Sequence, residues 1–86
     1  MGQDLKTRST VKLGAVNVCL APYADDVYCL ELDGEVIATF ATAKPPYESA
    51  MKALKAANRF SASQLEFANR WNNWTKETVD TYLIGG

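Results

Sequence analysis

Between Ser61 and Leu83 the apolar positions recur with a helical period. At about 100° per residue, Leu65, Phe67, Ala68, Trp71, Trp74, Val79, Tyr82 and Leu83 share one half of a wheel. Glu66, Asn69, Arg70, Asn73, Lys76, Glu77 and Asp80 share the other. Ser61 and Gln64 have the spacing of a capping box, and Phe60 and Leu65 that of a hydrophobic staple. The pattern predicts one long amphipathic helix with a broad, aromatic-rich apolar half. Asn72-Asn73 offers a break, with Thr75 capping a short third helix, but the wheel pattern runs through the pair and favours continuity.

The first half of the chain has a different period. Val11 to Leu20 is rich in β-branched residues and reads as a strand, with Gly14 marking a bulge or a close approach. Ala21 to Asp26 reads as a turn, in which Asp25-Asp26 are solvated. VYCLEL and EVIATFA flank Asp33-Gly34, the favoured two-residue hairpin turn. Such a turn sets Leu32 opposite Glu35, Glu31 opposite Val36, Leu30 opposite Ile37, Cys29 opposite Ala38, Tyr28 opposite Thr39 and Val27 opposite Phe40. Neither resulting face is plainly polar, so something must cover both. Lys44-Pro45-Pro46 ends the sheet, and Tyr47 to Asn58 reads as a helix with Tyr47, Ala50, Met51, Leu54 and Ala57 on one face. The expected fold is α+β: a three-stranded antiparallel meander followed by two helices, the C-terminal one long (β-β-β-α-α). Residues 1–86 make one domain, with 1–10 a flexible lead-in and 84–86 a loose tail.

Composition narrows the chemistry more than the fold. The 86 residues have 48% hydrophobic content and a formal net charge of −1, which disfavours DNA binding through bulk positive charge. There is no histidine, so the commonest general base and metal ligand is missing. Cys19 and Cys29 lack zinc-site spacing and companions. No glycine-rich phosphate loop or calcium-loop pattern occurs. The expectation is a non-enzymatic protein without cofactor, metal or catalytic residues. No secretory signal or run long enough to span a bilayer is legible. The two cysteines read as reduced, buried thiols in the cytoplasm, a disulfide being the minority reading. Pairing of the first strand with the second brings them near each other.

What remains is apolar surface. The candidate interface residues are Trp74, Phe67, Trp71, Phe40 and Val36, aromatic and aliphatic positions at the edge of the long helix or on the uncovered sheet face. In general texture the chain resembles the small proteins that phages and mobile elements encode to bind and block host proteins. The function expected is a protein-binding regulator or inhibitor with charged rims, its partner another protein or a second copy in a homodimer. One alternative is a nucleic-acid-binding accessory protein using Lys44, Lys52, Lys55 and Arg59. A further one is a carrier or modifier: Gly85-Gly86 resemble the Gly-Gly ends of ubiquitin-like modifiers and sulfur carriers.

Overall fold

The computed structural model describes residues 5–42 and 44–80. They form a five-stranded antiparallel sheet with two short helices on one face. In chain order these are β1 (Leu5–Leu13), β2 (Val16–Ala24), β3 (Val27–Leu32), β4 (Glu35–Phe40), α1 (Tyr47–Ala57), α2 (Ala62–Ala68), a 3₁₀ turn (Trp71–Asn73) and β5 (Thr75–Asp80). The strand order is β4-β3-β2-β1-β5, so the chain crosses the helices before its last strand joins β1. This corrects the three-stranded β-β-β-α-α expectation at both ends.

At the N-terminal end, the stretch from Val11 to Leu20 is not one strand. Gly14, at φ +64°, closes a hairpin between β1 and β2. Leu5–Thr10, whose polarity suggested a flexible lead-in, is strand and pairs with both β2 and β5. Its alternation is real but polar: Ser9 lies buried under the helices beside Val11 and Leu13, while Arg8 and Lys12 face the open side.

At the C-terminal end, the single long helix is replaced by α2, the 3₁₀ turn and β5. The cause lies in the last carbonyls of α2, which a continuing helix would pair with later backbone N–H groups. Side chains take them instead. Asn73 Nδ2 donates to the Phe67 carbonyl at 2.9 Å, and Trp74 Nε1 donates to that of Ala68 at 2.6 Å. Lys76 Nζ likewise donates to the Trp71 carbonyl at 2.5 Å. Asparagine competes well for backbone groups, and the β-branched Thr75, Thr78 and Val79 then suit a strand. The start of α2 follows the sequence reading: Ser61 Oγ accepts from Gln64 N–H, and Gln64 Oε1 accepts from Ser61 N–H, completing the capping box. Tyr82, Leu83 and Gly85-Gly86 lie outside the described residues.

The Asp33-Gly34 turn also forms as read, with φ of 51° and 86°, but the register holds for only two pairs. Ile37 is the extra residue of a β-bulge, so Leu30 pairs with Ala38, Cys29 with Thr39 and Tyr28 with Phe40. The bulge turns Ala38 and Phe40 to the helix side, where they pack against the core. That core contains Val11, Leu13, Val18, Leu20, Tyr28, Leu30, Leu32, Ala50, Met51, Leu54, Ala68 and Trp74. Each large aliphatic side chain buried there contributes about 1.5–3 kcal/mol relative to exposure.

Candidate functional site

The open face of the sheet accounts for one surface. On adjacent strands, Cys19 lies opposite Glu31 and Ala21 opposite Cys29, which makes the two thiols diagonal neighbours. Both are free and buried although no helix covers them. They are small groups sunk beneath longer ones. Arg8 Nε reaches Cys19 Sγ at 3.4 Å, and Cys29 Sγ lies 3.6 Å from Glu31 Oε2. Burial pushes the Cys19 thiol above its ordinary range, opposed by the Arg8 hydrogen bond. Burial, then the Glu31 charge, push Cys29 up to about 12. Neither is poised as a nucleophile, which needs a depressed value. Arg8 also meets Glu77 at 3.6 Å, an exposed pair worth a few tenths of a kcal/mol. Among the described residues no group of three or more His, Cys, Asp or Glu side chains is placed to hold a metal ion. No helix among them is long and apolar enough to cross a membrane.

The five candidate interface residues separate. Trp74 is 4% exposed and spends its only polar atom on the Ala68 carbonyl, so it belongs to the core. Trp71 is half-buried and stacks on Tyr47 with ring centroids 4.2 Å apart, while Tyr47 meets Trp74 edge-on at 6.2 Å. The Tyr47 hydroxyl is 2.9 Å from Ser9 Oγ, which ties this aromatic group to β1. Phe40 is half-buried under the helices. Val36 stands on the edge strand β4, exposed beside the bulged Ile37. Phe67 is 47% exposed, on a short helix whose Leu65 and Ala68 turn inward.

Phe67 borders two of the grooves formed by the described residues. Its backbone is fixed by two donors to one carbonyl, Arg70 N–H at 3.3 Å and Asn73 Nδ2 at 2.9 Å. Its side chain separates two grooves at one end of the sheet. One, of about 350 Å³, is lined by Thr10, Val11, Lys12, Asn17, Asn73 and Thr75. The other, of about 220 Å³, is lined by Lys12, Leu13, Gly14, Ser63 and Gln64. Gly14 allows this closeness: a Cβ there would lie 2.9 Å from Gln64 Nε2. The result is an exposed aromatic ring within a rim of hydroxyls, amides and one cation, Lys12. Of these residues only Phe67 is among the interface candidates read from the hydrophobic pattern; Lys12, Asn17, Asn73 and the two threonines are not. The alternation of LKTRSTVKL, which puts Lys6, Arg8, Thr10 and Lys12 on one strand face, was the available signal.

The basic residues of the nucleic-acid alternative do not share one helix face. Lys52 and Lys55 are exposed on α1, but α1 ends at Ala57 and Asn58 turns the chain at φ 55° before Arg59. Lys55 borders a groove shared with Glu66, and Arg59 borders another beside Ile37 and Ala53. Lys44 is exposed ahead of α1. In comparisons with protein-family models, curated proteins and solved structures, the chain matches none of them.

Proposed function

We propose that the protein is a non-enzymatic protein-binding module, a small regulator or inhibitor, that docks through the Phe67 end of its sheet. The observation that supports this is the exposure of Phe67 on an otherwise well-anchored helix, ringed by polar side chains. An aromatic anchor inside a polar rim is the usual anatomy of an interface hot spot. A pre-positioned ring also loses little conformational entropy on binding. The open sheet face is a weaker docking surface, because Arg8 and Glu31 stand over the buried Cys19 and Cys29, with Glu77 beside Arg8. Two free thiols fit a reducing compartment such as the cytoplasm.

The test is affinity capture from extract of the cell that makes the protein. Wild type and Tyr23→Ala, which removes the other strongly exposed aromatic side chain among the described residues, are expected to recover the same partner. Phe67→Ala is expected to lose it. Equal recovery by Phe67→Ala contradicts the assignment.

A further inference from the structure

The β1–β5 ladder ends at Thr10–Thr75, yet β1 runs on to Leu13. Beside the two-residue Gly14-Ala15 turn, Val11 and Leu13 direct their N–H and carbonyl groups to β2, so Lys12 alone points its own toward the β5 side beyond the ladder, and it is here that the two grooves flank Phe67. A free strand edge offers backbone donors and acceptors to an extended chain. The charge of the grooves is one-sided. Lys12 lines both, and among the described residues no carboxylate lines either.

Resting on the docking role of Phe67, we infer that the partner contributes an extended acidic peptide segment. Its main chain pairs with the N–H and carbonyl of Lys12 on the β1 edge, an apolar side chain packs on the Phe67 ring, and a carboxylate meets the Lys12 ammonium. Backbone pairing supplies affinity, and alternate side chains supply the choice of sequence. The charge pair sets orientation and excludes basic competitors. A nucleic-acid strand fits less well, because a single cation is too few to track a phosphate backbone.

The test selects binders from a displayed library of random linear peptides against the wild-type chain. The expected winners carry Asp or Glu next to an apolar residue. They weaken at least tenfold against Phe67→Ala and at least tenfold against Lys12→Glu, whose exposed position leaves folding intact by circular dichroism. Bound peptide shifts the Lys12 amide resonance most among β1 residues. Peptides that need Phe67 but show no acidic preference overturn the inference and leave the docking site standing. Binding independent of Phe67, or no enrichment, removes both. A homodimer that Phe67→Ala dissolves makes a second copy the occupant and likewise overturns the acidic peptide.

Discussion

Trp74 donates its indole N–H to the Ala68 carbonyl at 2.6 Å. This bond ends α2, aims the chain into β5 and puts the second tryptophan in the core. Trp74→Phe keeps most of the volume and removes the donor, leaving a buried carbonyl without its partner. The expected cost is about 1–3 kcal/mol. Trp74→Ala is expected to cost about 3–5 kcal/mol. Urea unfolding followed by circular dichroism measures both. A loss below a few tenths of a kcal/mol in Trp74→Phe contradicts this role.

Ser9 is fully buried on β1, and its hydroxyl lies 2.9 Å from that of Tyr47. Ser9→Ala and Tyr47→Phe each break this bond. A double-mutant cycle is expected to show a coupling of about 0.5–1.5 kcal/mol. Additive losses place the two hydroxyls in separate networks.

Gly14 and Gly34 both adopt positive φ, so alanine at either position is strained by about 1–2 kcal/mol. Only Gly14 also meets a neighbour, the Gln64 amide, which the capping box already holds. Gly14→Ala is therefore expected to destabilise more than Gly34→Ala. The reverse order in thermal unfolding contradicts the packing of α2 on the β1–β2 turn.

Burial, then the Glu31 charge, push the Cys29 thiol up from its ordinary 9.0 to about 12 in the fold. A thiol whose folded value is raised stabilises the fold while it stays protonated. That contribution is fully present below pH 9 and is lost as the pH rises toward about 12. Wild type is expected to lose stability across this window, and Cys29→Ala to lose less. The folded chain is expected to alkylate at Cys29 far more slowly than the urea-unfolded chain at pH 8.

These features were unequally legible in the sequence. The Asp33-Gly34 turn, the Ser61–Gln64 box and α1 are local, and local chemistry announced them. The wheel over Ser61–Leu83 failed because it sorts residues by side and ignores competition for backbone groups. Asn73, Trp74 and Lys76 satisfy carbonyls that only the folded chain brings to them. The Leu5–Thr10 part of β1 was missed because two of its inward positions, Thr7 and Ser9, are hydroxyls instead of aliphatics. The bulge at Ile37 is a tertiary choice, made where Ala38 and Phe40 gain burial. Of the candidate site, exposure at Phe67 was anticipated. Its polar rim was not, because it joins β1, β2, the 3₁₀ turn and β5.

The most direct measurement is an amide NMR titration of the labelled protein with the partner recovered by capture. The docking account predicts the largest shifts at residues 10–14, 63–67 and 73–75, around Phe67 and Lys12. Shifts centred on Val36 and Ile37, or on Lys52 and Lys55, with the Phe67 end unchanged, contradict it.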